Sequence, residues 1–168
     1  APPLMHGAAH WNALSCWMAG GTVIIQDRPD HLDPADVWDS VERHRATSLL
    51  IVGDSFARPL LDELAARPRD VSSLRHLLSG GAVLSPHVKA ELLAAVEGLT
   101  IVDVLGSSES GRQGVANTRS ADDLASGFVR SSTARVVRDD LTGTLDPPTG
   151  DGPGEIGWLS QTGRVPLG

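Results

Sequence analysis

The chain has 168 residues and a formal net charge of −7, from 14 basic and 21 acidic side chains. This acidic balance argues against a nucleic-acid-binding protein, which normally shows a basic surface. No run of about 18 apolar residues occurs, so the sequence predicts no membrane span. The single cysteine, Cys16, excludes an internal disulfide and a cysteine-rich zinc site, and it fits a reducing cytoplasmic compartment.

The two ends of the sequence lack the features of a complete chain. It begins at Ala1 without an initiator methionine, and no signal peptide or lipid-anchor pattern is visible. It stops at Gly168, soon after a strand-like stretch. We therefore expect an internal fragment of a longer polypeptide, whose missing remainder is its natural structural partner.

The first two-thirds of the chain alternate helix-like and strand-like segments. In chain order, we predict a helix at residues 8–19, a strand at 22–25, a helix at 34–45, a strand at 48–52, a helix at about 54–66, a strand at 74–78, a helix at 86–96 and a strand at 100–105. Asp33 and Ser85 each precede a proline and are predicted helix N-caps, and Asp54 or Ser55 is predicted to cap the third helix. This alternation predicts an α/β fold with a parallel sheet flanked by helices.

The last third of the chain changes character. Residues 129–138 alternate in the manner of a strand, and residues 155–160 form another short strand-like run. Residues 142–154 between them are rich in glycine and proline, which predicts turns. We therefore predict an α/β subdomain over residues 1–125, followed by the start of a small antiparallel β subdomain over residues 126–168.

Two glycine- and serine-containing turns follow predicted strands of the sheet. Ligands bind parallel sheets at the carboxyl ends of strands, so both turns are candidate sites. The turn at residues 106–111 offers hydroxyl and backbone N–H groups that can hold phosphate oxygens, and its carboxylate, Glu109, can hold Mg²⁺. The turn at residues 79–82 has two glycines that allow a ligand close to the backbone. Each turn alone is more often a loop that binds nothing, but two at one sheet edge reinforce each other.

A serine esterase built on Ser55 or Ser108 is a weaker alternative. Residues 53–55 (Gly-Asp-Ser) are similar to the nucleophile block of small lipases, but that chemistry needs a histidine base held by a carboxylate. The usual Asp-x-x-His partner near the end of the chain is absent, which favours a helix cap instead. Around Ser108, the G-x-S-x-G elbow is incomplete because Ser110 replaces its second glycine, and residues 112–117 are predicted to be extended rather than helical.

The histidines near the start of the chain raise the question of a metal site. His6 and His10 have the spacing of a helical zinc pair, but no glutamate lies between them and no third ligand is evident. Zinc is therefore disfavoured. His6 precedes an apolar helix that contains Trp11, so both side chains can instead line a pocket or pack in the core.

Four short segments occur in order along the chain. They are Pro3-Leu4-Met5-His6-Gly7, Ser79-Gly80-Gly81-Ala82, Leu105-Gly106-Ser107-Ser108-Glu109 and Gly154-Glu155-Ile156-Gly157. Together they resemble motifs of the adenylate-forming (AMP-binding) superfamily, which includes acyl-CoA synthetases, luciferases and peptide-synthetase adenylation domains. The end of the chain is most similar to the fatty-acid or steroid-acid CoA ligases of actinobacteria. The resemblance implies that the chain is the middle of the large amino-terminal domain of such an enzyme.

The resemblance implies a role for each matched residue. Three residues border the acyl pocket: His6, Trp11 and Gly81. Seven residues surround the nucleotide: Gly80, Gly81, Ala82, Leu105, Gly106, Ser107 and Ser108. Two of the matched residues are implied to be catalytic, because Ser108 contacts phosphate and Glu109 binds Mg²⁺.

The resemblance also implies ATP-dependent activation of a carboxylic acid, fatty or sterol-type, to an acyl-adenylate and then to an acyl-CoA thioester. ATP, Mg²⁺ and coenzyme A as co-substrate are the implied cofactors, and cytoplasmic fatty-acid metabolism is the implied setting. The family's phosphate loop, ribose-binding Thr-Gly-Asp and catalytic lysine lie outside this sequence, so we expect the fragment alone to be inactive. The only lysine, Lys89, matches no family position and is predicted to lie on the surface.

One departure from the family pattern favours a second class of function. Leu105 stands where the family has Tyr or Phe, so adenine stacking is weakened or supplied differently. This substitution favours, as an alternative, a non-catalytic nucleotide-binding or scaffold module of the same fold. A degenerate phosphate loop in the flanking sequence would support that alternative.

Overall fold

The computed structural model describes residues 2–145 and 155–163, which form two β-sheets and four α-helices. The helices are α1 (Gly7–Met18), α2 (Pro34–His44), α3 (Gly53–Ala66) and α4 (Pro86–Ala95). The five-stranded sheet contains β1 (Ser48–Ile51), β2 (His76–Gly80), β3 (Thr100–Ser107), β4 (Gly111–Thr118) and β5 (Val129–Arg130). The three-stranded sheet contains β6 (Ala134–Val137), β7 (Thr144–Leu145) and β8 (Trp158–Gln161).

The larger sheet is mixed, and its strands follow chain order from β1 to β5. β1 pairs with β2 and β2 pairs with β3 in parallel, whereas the β3–β4 and β4–β5 pairs are antiparallel. In the smaller sheet, β6 lies between β7 and β8 and is antiparallel to both. The prediction of a helix-flanked parallel sheet followed by a small antiparallel segment is confirmed, with β4 and β5 as antiparallel additions to the first sheet.

The hydrophobic core lies between the parallel strands and helices α2, α3 and α4. Alternate strand residues, including Ile51, Leu77 and Ile101, are almost fully buried because successive residues of a strand face opposite sides of the sheet. Trp38 of α2 is fully buried, and its indole N–H donates to the Leu60 backbone oxygen at 2.8 Å. This bond satisfies the polar atom of a buried ring and joins α2 to α3.

Two predicted helix caps are confirmed. The Asp33 carboxylate accepts hydrogen bonds from the backbone N–H groups of Ala35 and Asp36 at the start of α2. The Ser85 hydroxyl accepts from the backbone N–H of Val88, at 3.5 Å, at the start of α4. In both helices the residue after the cap is a proline, whose fixed φ suits the first helical position.

The predicted cap of α3 is wrong. The helix begins at Gly53, before Asp54 and Ser55, and its N-cap Val52 makes no side-chain capping bond. The reason is that the Asp54 carboxylate is used elsewhere, since it accepts from the backbone N–H of Ser85 at 2.8 Å. A long-range hydrogen bond therefore replaces the local cap.

The predicted strand at residues 22–25 is also wrong, because these residues belong to neither sheet. Ile25 is 59% exposed, so the β-branched run is not buried as a strand of the core. A strand needs a neighbouring strand edge for its backbone N–H and C=O groups. Among the described residues no strand edge pairs with this segment. The local sequence of the segment gives no information about such a partner.

The change from the first sheet to the second falls between β5 and β6. The subdomain boundary after residue 125 stays a prediction. Residues 146–154, most of the predicted turn segment, lie outside the described residues, whereas Thr144–Leu145 forms β7. In the described part of the chain, no helix is both long enough and apolar enough to cross a membrane.

Lys89 is buried, contrary to the prediction that it lies on the surface. Its Nζ lies 3.0 Å from Asp103 Oδ2, and each side chain is only 9% exposed. The ion pair joins α4 to β3. Burial of a lysine requires a compensating partner, and here that partner lies on a separate element of the chain, where sequence spacing does not reveal it.

Candidate active site

The two candidate turns lie side by side at one edge of the larger sheet. β2 ends at Gly80 and the parallel strand β3 ends at Ser107, and Gly80 is in register with Val104. The strands are so close that a Cβ on Gly80 would lie 3.2 Å from the Val104 backbone oxygen. The turns that follow both strands therefore lie at the same carboxyl-end edge, where parallel sheets bind ligands, although β3 continues to Ser107 beyond the partner of Gly80.

The turn between β3 and β4 is closed by serine hydroxyls. Ser107 Oγ lies 2.8 Å from Ser110 Oγ and accepts from the backbone N–H of Ser110 at 3.1 Å. The register of the β3–β4 pair shifts between Leu105 and Gly106. A Cβ on Gly106 would clash with the backbone oxygen of Gly111, so only glycine fits at that position.

Glu109 lies at the exposed tip of this turn. Hydrogen bonding from its own backbone N–H, and then from the Ser107 hydroxyl, holds the pKa of the Glu109 carboxyl below its ordinary value. The carboxyl is therefore ionised at neutral pH. A single ionised carboxylate suits Mg²⁺, which takes one or two carboxylates and fills its other positions with substrate phosphates and water.

The donor set does not suit a metal held by protein side chains alone. Among residues 2–145 and 155–163, no group of three His, Cys, Asp or Glu side chains could hold a metal ion. The disfavoured zinc pair at His6 and His10 thus gains no third ligand within that part of the chain.

The start of α1 reaches the β3–β4 turn. A Cβ on Gly7 would lie 3.1 Å from Ser108 Oγ and 3.6 Å from the Trp11 ring. His6 directly precedes this glycine as the exposed N-cap of α1 and makes no side-chain capping bond. The structure therefore places the His6–Gly7 backbone, the Trp11 ring and the Ser108 hydroxyl in one region, although they come from motifs far apart in the sequence.

The turn after β2 exposes its backbone. Gly81 has a left-handed φ of +84°, which favours glycine. Gly81, Ala82 and Val83 are all exposed, and within residues 2–145 and 155–163 the one atom within 4 Å of a Cβ on Gly81 would be Val52 Cγ1, at 3.8 Å. A ligand can therefore approach the main chain of this turn closely. Leu105, at the end of the adjacent strand, is 38% exposed.

Two residues that hold this turn, Gly53 and Asp54, are not among the site residues predicted from the sequence. The Gly53 backbone N–H donates to the buried hydroxyl of Ser79 at 3.2 Å, and the Asp54 backbone N–H donates to the Val83 backbone oxygen at 3.0 Å. The Asp54 carboxylate accepts from the backbone N–H of Ser85 at 2.8 Å. The signal that could have revealed them is a Gly-Asp pair directly after a parallel strand, at the edge where ligands bind.

The esterase alternative gains no support from Ser55. Its hydroxyl donates to the Val52 backbone oxygen at 3.0 Å. A nucleophilic serine instead donates to a histidine base, which in turn is held by a carboxylate. Ser55 is therefore a structural residue of the first helical turn of α3.

A charged cleft of about 450 Å³ lies apart from the two turns, around α2. Four aspartates and four arginines line it: Asp27, Asp33, Asp36, Asp39, Arg28, Arg43, Arg67 and Arg69. These charges pair with one another, for example Arg69 with Asp39 at 2.7 Å and Arg43 with Asp27 at 3.2 Å. The aspartate and arginine charges of the cleft therefore neutralise one another in surface ion pairs.

Solved structures of larger enzymes share the fold of this chain. A long-chain-fatty-acid-CoA ligase from Archaeoglobus fulgidus matches with a TM-score of 0.72 at 15% identity, over 86% of this chain and 31% of that chain. The amide bond synthetase McbA from Marinactinospora thermotolerans matches with a TM-score of 0.71 at 24% identity, over 88% of this chain and 29% of that chain. These likenesses show that the chain has the fold of this part of those two enzymes.

Sequence comparison then defines the family. Residues 1–161 match the family model described as AMP-binding enzyme, and the chain belongs to this family. It is 39% identical to the medium-chain acyl-CoA ligase Mig of Mycobacterium avium and 32% identical to the 3-oxocholest-4-en-26-oate–CoA ligase of Rhodococcus rhodochrous. Each alignment covers 99% of this chain but only 30% of the relative. The family predicted from the four motifs is confirmed, and the chain spans less than a third of these relatives' length.

Proposed function

We propose that the protein activates a carboxylic acid with ATP and transfers the acyl group to the thiol of coenzyme A. The observation that carries this proposal is one sheet edge that combines the ionised Glu109 carboxylate, the Ser108 hydroxyl and the exposed backbone at Gly81. Relatives named as acyl-CoA ligases support the same reaction. The chain of 168 residues is proposed to be inactive alone, because it spans 30% of those relatives.

The first half-reaction brings two anions together. The substrate carboxylate attacks the α-phosphorus of ATP, an acyl–phosphate bond forms, and pyrophosphate leaves. Glu109 would hold Mg²⁺, which when bound supplies positive charge against this repulsion and against the charge that develops at phosphorus. The Ser108 hydroxyl donates a hydrogen bond to a phosphate oxygen. The tight turn fixes both residues before substrate arrives, so little reorganisation is needed in the transition state.

The neighbouring turn and α1 form the rest of the proposed site. The backbone of Gly80, Gly81 and Ala82 flanks the adenine and the acyl group, and Gly106 and Ser107 border the nucleotide from the next strand. His6 and Trp11 line the acyl side. Leu105 provides an aliphatic surface for adenine in the position where the family has an aromatic ring.

The second half-reaction uses the thiol of coenzyme A. The sulfur attacks the acyl carbonyl of the adenylate, a carbon–sulfur bond forms, and AMP leaves with the electron pair. We propose a fatty or sterol-type acid as substrate. The support is that the relatives' names cover medium-chain and long-chain fatty acids and 3-oxocholest-4-en-26-oate.

A second candidate function rests on Leu105. Without an aromatic ring at this position, adenine loses a stacking partner that is worth about 1–3 kcal/mol where bases stack on aromatic side chains. A nucleotide-binding scaffold without catalysis would tolerate such a loss. This candidate predicts nucleotide binding without acid-dependent turnover.

ATP–pyrophosphate exchange by the full-length protein tests the proposal. Short, medium, long and sterol-type carboxylic acids are supplied one at a time, each with and without Mg²⁺. Exchange that depends on one acid class and on Mg²⁺ is expected, and subsequent release of AMP should require coenzyme A. A folded protein that binds ATP but exchanges with no acid would contradict the ligase and favour the scaffold.

A further inference from the structure

The junction between β1 and α3 packs directly against the backbone of the Gly80–Val83 turn. Gly53, the first residue of α3, has a φ of +57°. A Cβ on Gly53 would lie 2.5 Å from the Val83 backbone oxygen and 2.8 Å from Ala82 Cβ. A larger residue would therefore displace the turn, so glycine at this position sets the distance between the junction and the turn.

Three hydrogen bonds connect the junction to both ends of the turn. At the entry, the Gly53 N–H donates to Ser79 Oγ at 3.2 Å, and Ser79 is 1% exposed. At the exit, the Asp54 N–H donates to Val83 O at 3.0 Å, and Asp54 Oδ1 accepts from the Ser85 N–H at 2.8 Å. Asp54 thus holds the exit with its backbone and its side chain together.

The turn is anchored at its ends, by the pairing of Gly80 with β3 and by the buried side chain of Leu84, which is 3% exposed. Val83 is 80% exposed, and Gly81 and Ala82 are also exposed, so burial contributes little to their position. The left-handed glycine adds backbone freedom in the unfolded state rather than rigidity. Between these anchors, the hydrogen bonds from the junction hold the backbone on the side of α3.

We propose that Asp54 is a positioning residue for the nucleotide site. It acts through the backbone of residues 80–85 and has no contact with the reacting atoms. This inference rests on the proposed function, in which that backbone flanks the adenine and the acyl group. The chemistry required of Asp54 is a hydrogen-bond acceptor at Oδ1, and its negative charge is not required. An amide oxygen at the same place therefore serves equally well.

The test uses three variants of the full-length protein in ATP–pyrophosphate exchange. Asp54→Ala removes the acceptor and is expected to raise KM for ATP about tenfold, the effect of one lost hydrogen bond to a buried or aligned group, with a smaller change in kcat. Asp54→Asn retains the acceptor and is expected to stay within about twofold of the wild type. Asp62→Ala, an exposed aspartate on the same helix, is the matched control and should change neither parameter.

Hydrogen–deuterium exchange on the same variants separates positioning from activity. In Asp54→Ala, the amides of residues 80–85 should exchange about tenfold faster, while α2 and β1 keep their protection. Ser79→Ala, which removes the acceptor at the entry of the turn, should accelerate exchange in the same segment. If Asp54→Ala does not fold, Asp54→Leu, which also removes the acceptor but keeps side-chain bulk, replaces it. Unchanged exchange in residues 80–85, or equal loss in the Asn and Ala variants, would overturn the proposal.

The proposed function and the positioning role of Asp54 would fail in different ways. If the wild-type protein shows no acid-dependent pyrophosphate exchange, the proposed function fails, and the amide exchange of residues 80–85 still decides whether Asp54 positions the turn. If the wild type is active but Asp54→Ala keeps a normal KM for ATP, the function stands and the positioning role is overturned.

Discussion

The two turns at the sheet edge are held in place by different means. The Gly80–Val83 turn depends on another element, because the Gly53–Asp54 junction supplies the hydrogen bonds at its ends. The turn at residues 108–110 is held by its own hairpin, through the Ser107–Ser110 bonds. The first turn should therefore respond to substitutions distant in sequence, and the second to local ones. One sheet edge thus combines an externally positioned part with a self-contained part.

The buried Lys89–Asp103 pair connects the two parts, since Lys89 lies on the helix after the first turn and Asp103 on the strand before the second. Lys89→Met leaves an unpaired carboxylate in a buried position. We expect a loss of about 3–5 kcal/mol in the free energy of unfolding, measured by urea denaturation of the full-length protein. Amide exchange should increase in both turns. The turn at residues 108–110 would then also respond to a substitution distant in sequence, and the two turns would no longer differ in this respect.

Two controls distinguish an unpaired charge from simple loss of packing. The double variant Lys89→Met/Asp103→Leu removes both charges and should recover most of the lost stability. Arg58→Ala breaks an exposed pair, in which Arg58 Nη1 lies 3.0 Å from Glu91 Oε1, and should cost less than about 1 kcal/mol. A double variant as unstable as the single one would mean that the pair does not explain the burial of Lys89.

Removal of the Glu109 carboxylate tests the self-contained turn. Glu109→Ala in the full-length protein should lower acid-dependent pyrophosphate exchange at least about tenfold, because the metal loses its protein ligand. The β3–β4 hairpin should stay intact, since the Ser107–Ser110 bonds do not involve this side chain. Glu97→Ala, an exposed glutamate after α4, is the control. Near-normal adenylate formation at saturating Mg²⁺ would contradict the assignment of Glu109.

The sequence predicts the self-contained part well, and the reason is physical. Local rules determine a β-branched strand followed by a glycine- and serine-rich turn, so the turn at residues 106–111 could be recognised without any partner, whereas the bonds and the close contact within it appear only in the structure. The caps at Asp33 and Ser85 are local in the same way. These features depend on residues within about four positions of one another, which is the range over which capping and turn rules apply.

The features that the sequence does not predict are long-range. Lys89 pairs with a strand residue, Asp54 bonds to the backbone of Ser85 instead of capping its own helix, and residues 22–25 have no strand to pair with in the described part of the chain. In each case the deciding partner lies on another element. Side-chain polarity shows that a partner is needed but not which residue supplies it. The positioning of the site, more than its chemistry, therefore requires the structure.

Leu105 gives a smaller test that joins the two parts, because it lies near the end of β3, directly after Val104, the partner of Gly80. Leu105→Tyr restores the aromatic ring of the family pattern on a side chain that is 38% exposed. If adenine lies between the two turns, stacking should lower KM for ATP by about two- to fivefold, less than the full value of a base–aromatic stack because leucine already contacts the base. Leu105→Met is the control for side-chain size. An unchanged or higher KM in the tyrosine variant would place adenine elsewhere.

The smallest expected effect concerns the link between the hairpin and the Glu109 charge. Ser107→Ala removes the second cause of the lowered pKa of the Glu109 carboxyl but keeps the first, its own backbone N–H. The pKa of Glu109 should therefore rise part of the way toward its ordinary value, which an NMR titration of the side-chain carboxyl carbon measures. Because the pKa of Glu109 is lowered in the folded state, the ionised carboxylate stabilises the folded protein. This stabilisation is fully present above the ordinary carboxyl pKa and is lost as pH falls through the lowered pKa. In Ser107→Ala, the pH at which this stabilisation is completely lost should therefore be higher than in the wild type. An unchanged Glu109 titration would mean that the hairpin positions this carboxylate without controlling its charge.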